Sequence, residues 1–106
     1  MKTKRLKPEI RKDEIIAAAL SLAASTHYTR VTRDAIAAAI TIKGPAIQYH
    51  FGTMGQLRRE LMRAAVKQRV LNVVAQGLLA RDEHAEKADT ALREEAIAYA
   101  MSSPAV

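Results

Sequence analysis

The stretch from Thr32 to Gly52, Thr-Arg-Asp-Ala-Ile-Ala-Ala-Ala-Ile-Thr-Ile-Lys-Gly-Pro-Ala-Ile-Gln-Tyr-His-Phe-Gly, decides the fold. Thr32 is of the type that accepts a hydrogen bond from a helix's first free N–H groups, so it reads as an N-cap. Ile36 and Ile40 follow four residues apart, which puts both on one face of a short helix. Thr41 to Gly44 interrupts that pattern. Pro45 suits the first turn of a further helix, whose Ile47 and Phe51 again stand four apart, and Gly52 ends it. Two short helices joined by a tight turn make a helix-turn-helix unit, with the second helix able to lie in a major groove.

At about 100° per residue, turning Ile47 and Phe51 inward leaves Pro45, Ala46 and Tyr49 outward, with Gln48 and His50 on the flanks. These side chains suit a groove. Glutamine can bond adenine through both ends of its amide, Tyr and His can reach a phosphate or a base edge, and an Ala or Pro surface can meet a thymine methyl.

Outward from this unit the periodicity stays helical. A first helix opens near Pro8, carries Ile15, Ala19, Leu22 and Ala23 on one face and ends about Thr26. His27 to Val31 reads as a connection. Thr53-Met54-Gly55-Gln56 reads as a capping box, opening a long helix over 54–81. A connection follows at 81–84, then a last helix near 89–101. The expected fold is therefore all-α: three N-terminal helices, a long helix and a C-terminal helix, the last two joining those of a second copy in a four-helix dimer bundle. It divides into a basic arm (1–7), a DNA-binding unit (8–52) and a helical dimerisation region (53–106). Gly77, within an apolar run from Val70 to Leu79, either admits a close helix neighbour or kinks the long helix.

Composition supports that division. Residues 1–59 carry 11 basic and 4 acidic side chains, whereas residues 60–106 carry 6 and 7, so the net charge of +6 resides in the amino half. A basic half joined to a neutral half suits a polyanion-facing module on an assembly module. Of the 106 residues, 21 are alanine and only four are aromatic. Alanine contributes little transfer energy, so a partner subunit is expected to complete the burial. An enclosed pocket of several hundred Å³ is not expected, and neither is a small-molecule effector.

With no cysteine, a disulfide framework, thiolate metal site or thiol nucleophile is excluded. His27, His50 and His84 show no metal-ligand spacing, and neither a nucleophile elbow nor a phosphate-binding loop occurs. No catalysis and no cofactor are expected. The basic start of the chain runs into Pro8-Glu9-Ile10-Arg11-Lys12-Asp13-Glu14 rather than into an apolar segment, so a soluble cytoplasmic protein, lying with the nucleoid, is expected rather than a secreted or membrane one.

Several elements in order and spacing then resemble TetR/AcrR-type regulators. They are Ile15-Ile16-Ala17-Ala18-Ala19-Leu20, Tyr28 to Thr32, Ile36-Ala37, Ile47-Gln48-Tyr49-His50-Phe51 and Gln56-Leu57. The likeness covers about residues 10–60. It implies that Thr32 and Thr53 contact phosphate at two helix starts, and that Lys43, Gly44, Pro45 and Ala46 begin the recognition helix. It also implies that Gln48, Tyr49 and His50 meet bases and phosphates. Thr41 stands where that pattern has its turn glycine, Lys43 where it has a serine cap, and Met54 where it has a lysine. Asp34 takes a place where a basic residue is frequent, beside Arg33, which can substitute.

The expected function is that of a dimeric regulator, a repressor by resemblance, on double-stranded palindromic DNA. Lys2, Lys4, Arg5 and Lys7 of the arm add backbone or minor-groove contacts. The alternative is a small helical module that binds another regulator. Salt distinguishes the two, because affinity resting on phosphate contacts falls steeply with salt concentration.

Overall fold

The computed structural model describes residues 7–102, so Lys4 and Arg5 of the arm lie outside the described residues. Helix α1 (Pro8–Ser25) has its proline in the first turn, where the missing N–H is not needed. It stops at Thr26, whose N–H and hydroxyl both donate to the Leu22 carbonyl. The expected connection holds one turn of 3-10 helix, Tyr28–Arg30, opened by His27 Nδ1 accepting from the Thr29 N–H.

Thr32 caps α2 (Arg33–Ile40) as expected, its hydroxyl oxygen accepting from Ala35 N–H at 3.1 Å. Thr41 ends α2 in the left-handed region, at φ 57° and ψ 51°. A β-branched residue is strained in that conformation, which glycine adopts freely. Helix α3 (Gly44–Phe51) begins at Lys43 without a side-chain cap and ends at Gly52, where φ is 76°. A Cβ on Gly52 would stand 2.1 Å from Gln56 Oε1. That oxygen is already committed: it accepts from Thr53 N–H while the Thr53 hydroxyl accepts from Gln56 N–H, the capping box that opens α4 (Met54–Gln68).

The carboxyl half departs from the expected long helix. The helix expected over 54–81 is two helices, α4 and α5 (Leu71–Leu79), separated by Arg69 in the left-handed region. Its carbonyls are closed off locally, with Val70 N–H donating to Ala65 at 2.9 Å. The reversal answers the apolar run that follows. A segment apolar on nearly every side needs neighbours all round, and folding back puts Val73, Val74 and Ala75 in the core. Two amides then fasten α5 to the end of α1. Gln76 accepts from Tyr28 N–H at 2.9 Å and donates to the Ala23 carbonyl at 2.9 Å, while Asn72 donates to Ala24.

The expected connection at 81–84 contains part of a short helix, α6 (Glu83–Glu86), capped by Asp82. Gly77 is a point of close approach: a Cβ there would lie 2.6 Å from Met62 Cε and 2.8 Å from Ala85 Cβ. Helix α7 (Thr90–Ser102) falls where the last helix is expected and buries Leu92 and Ala96, lying against α5.

Among the described residues there is no strand, and the all-helical class stands. One continuous core runs from Ile15, Ile36 and Ile47 through Leu57, Leu61 and Met62 to Val73, Val74 and Leu92. No helix among the described residues is long and apolar enough to cross a membrane.

Candidate nucleic-acid interface

Helices α2 and α3 pack on each other and both rest on α1. Their inward anchors are Ile36 and Ile47, which are 0% and 1% exposed. The outward faces are thereby held at a fixed separation by buried side chains. On α3, Lys43, Pro45, Gln48 and Tyr49 are exposed, while Gly44, Ala46 and His50 are half-buried. Tyr49 is 83% exposed, so a large aromatic residue is offered to solvent with little of it packed. Such a residue is more informative than an exposed leucine, because its phenol can bond while its ring stacks.

Two of the site residues expected from the sequence meet directly. Arg33, at the first position of α2, donates from Nη1 to Gln48 Oε1 at 2.8 Å. His50 does not join them. Although its ring lies edge-on to Tyr49, with centroids 5.2 Å apart, it lines a cleft between α1 and α4.

The two cap threonines are partly occupied. Thr32 and Thr53 each use the hydroxyl oxygen as acceptor for their own helix, which leaves the hydroxyl proton to donate outward. At the start of α4 the Thr53 N–H is bonded to Gln56, so that backbone group is not available to a phosphate. Lys43 makes no capping bond.

The cleft beside His50 has a volume of about 640 Å³ and is lined by residues that include Lys12, Arg59, Arg63 and Lys67, with Ile16 and Phe51 among its apolar members. Lys12 lies 5.9 Å from the Phe51 ring centroid. Glu60 accepts from Arg63 at 3.2 Å within it. The cleft is open to solvent, unlike an enclosed pocket that buries most of a ligand. Its cations were not singled out from the sequence, yet the spacing of Arg59, Arg63 and Lys67 at i, i+4 and i+8 on α4 is visible there.

Behind the interface, Tyr28 joins the 3-10 turn to the core. Burial raises its phenol above the ordinary value, the nearby Asp82 carboxylate adds to the rise, and Arg58 opposes it.

No family model, curated protein or solved structure matches the chain.

Proposed function

We propose that the protein is a sequence-specific DNA-binding transcriptional regulator, acting as a homodimeric repressor on a palindromic operator. The observation that carries this reading is the outer face of α2 and α3. Arg33, Gln48 and Tyr49 are exposed there on two short helices whose inner faces are buried. The basic balance of residues 1–59, to which Lys4 and Arg5 contribute, supplies the sequence-independent attraction to phosphate. Lys43 and the Thr32 and Thr53 hydroxyls serve as backbone contacts, while Gly44, Pro45 and Ala46 allow close approach of α3 to the groove. His50, at the rim of the cleft, serves a flanking phosphate.

In a symmetric dimer the two α3 helices enter major grooves about 34 Å apart. The reading needs no catalytic residue and no cofactor, places the protein on the chromosome in the cytoplasm, and includes no small-molecule effector. The dimer face is assigned to the end of α7, where Ile97 and Met101, four residues apart on one side of the helix, are 48% and 82% exposed. A helix end carrying apolar side chains in this way is well suited to burial by a second copy.

That same helix end favours one other reading, in which the chain is a helical module that binds a different regulator. A single mobility-shift series separates the two. The full chain is titrated onto its own upstream DNA and onto random duplex at two salt concentrations. Selective binding that weakens steeply with salt is expected from phosphate contacts. Weak binding, equal on both duplexes, would move the function to a protein partner.

A further inference from the structure

We propose that Arg33 and Gln48 form one reading unit that presents only donors, so that the base recognised through Gln48 is guanine and not adenine. The inference rests on the DNA-binding reading and deepens it.

The orientation of the Gln48 amide follows from chemistry. Arginine has no acceptor, so the contact at 2.8 Å must engage the amide oxygen. The amide nitrogen, with its two N–H groups, then points elsewhere. Arg33 and Gln48 are both exposed, while Ile36 on α2 and Ile47 on α3 hold the two backbones in the core. The separation of the two backbones is thus set before any partner arrives, and it places the side chains within reach of one another. Among the described residues no ion pair involves Arg33, so no carboxylate competes with the Gln48 oxygen. One N–H of the guanidinium is used and four remain.

Adenine demands both ends of a glutamine at once. Its amino group donates to the amide oxygen while its N7 accepts from the amide nitrogen. With a guanidinium already on that oxygen, an adenine amino group would approach donor against donor beside a positive charge. Guanine offers the opposite pattern, two acceptors at O6 and N7 on one edge. One accepts from Gln48 Nε2–H and the other from an unused N–H of Arg33. Cytosine presents an amino donor at this edge and is refused for the same reason as adenine. The expectation that Gln48 takes adenine is therefore replaced by a guanine assignment, with Arg33 as a specificity-determining residue.

The test is selection from a random duplex pool with the full-length protein, Arg33→Ala and Gln48→Ala, each checked for its fold by circular dichroism. The Gln48→Ala variant identifies which operator position loses its preference. At that position the unaltered protein is expected to favour guanine over adenine by about tenfold or more. Arg33→Ala frees the amide oxygen, and the preference is expected to move to adenine. If the unaltered protein selects adenine there, the inference fails while DNA reading stands. It also fails if Arg33→Ala weakens every duplex equally and leaves the base preference in place, as a simple phosphate contact would. A protein that selects no sequence at all overturns the DNA-binding reading together with the inference.

Discussion

Two helix pairs in this molecule turn through residues of nearly the same backbone geometry, yet the turns lead to opposite fates. Between α2 and α3, Thr41 stands at φ 57° and ψ 51°; between α4 and α5, Arg69 stands at φ 57° and ψ 46°. After Thr41 the chain enters α3, a helix with one deeply buried side chain, Ile47, and an outer face left to solvent. After Arg69 it enters α5, which buries Val73, Val74, Ala75 and Gly77. Arg69 also forms an ion pair with Glu95 on α7. A left-handed turn thus serves presentation in one place and burial in the other. What separates them is the sequence that follows the turn, polar on one face in α3 and apolar nearly all round in α5.

The contrast can be broken most sharply at Gly77. Substituting leucine there forces a side chain against Met62 and Ala85, and the loss of stability is expected to be about 3 kcal/mol, read from the urea midpoint. Because α3 lies elsewhere in the core, a matching loss from an exposed change such as Tyr49→Ala would refute the contrast.

Gln76 comes next. Replacing it with alanine strips the Tyr28 N–H and the Ala23 carbonyl of their partner, at a cost of about 2 kcal/mol. Amide exchange at Tyr28 is expected to accelerate with it, and an unchanged exchange rate would show that the Gln76 bond does not hold the 3-10 turn.

The two turns themselves should respond unequally to glycine. Thr41→Gly relieves a β-branched residue of left-handed strain and is expected to stabilise by about 1 kcal/mol. Arg69→Gly relieves less, since arginine is unbranched at Cβ, and it also gives up a half-exposed ion pair of the kind that contributes only about 0.5 kcal/mol. Its net effect on thermal midpoint should be close to zero. Equal gains at both positions would mean that branching at Cβ is not what strains Thr41.

The smallest expected effect is one of pH. The folded Tyr28 phenol lies above the unfolded value of about 10, so the native state keeps that proton longer than the unfolded chain does. Its contribution is present in full below pH 10 and declines as pH climbs from there through the folded value. Melting midpoints of the natural chain and Tyr28→Phe, compared from pH 9 to 11, should diverge from one another as the unfolded phenol ionises. Parallel curves would argue against a raised Tyr28.

The legibility of the chain follows the same division. In the amino half four boundaries carry their own chemical sign: Pro8 opens α1, Thr32 caps α2, Gly52 stops α3, and Thr53 with Gln56 opens α4. The break after α4 falls at Arg69, in the left-handed region, where arginine is no signal at all. Nor could the site be read completely. Arg33, Gln48 and Tyr49 were visible as candidates, but the bond from Arg33 to Gln48 joins residues 15 apart on different helices, and it alters which base the glutamine suits.

By itself the sequence determined the helical class, the three amino-terminal helices and the candidate face on α3, because caps, breakers and four-residue apolar spacing act within a single turn of chain. Only the tertiary structure decided that the helix begun at Met54 ends at Gln68 and that α5 runs back to Tyr28 and Ala23. The Gln76 bonds depend on partners about 50 residues away in the chain, and local propensity carries no record of them.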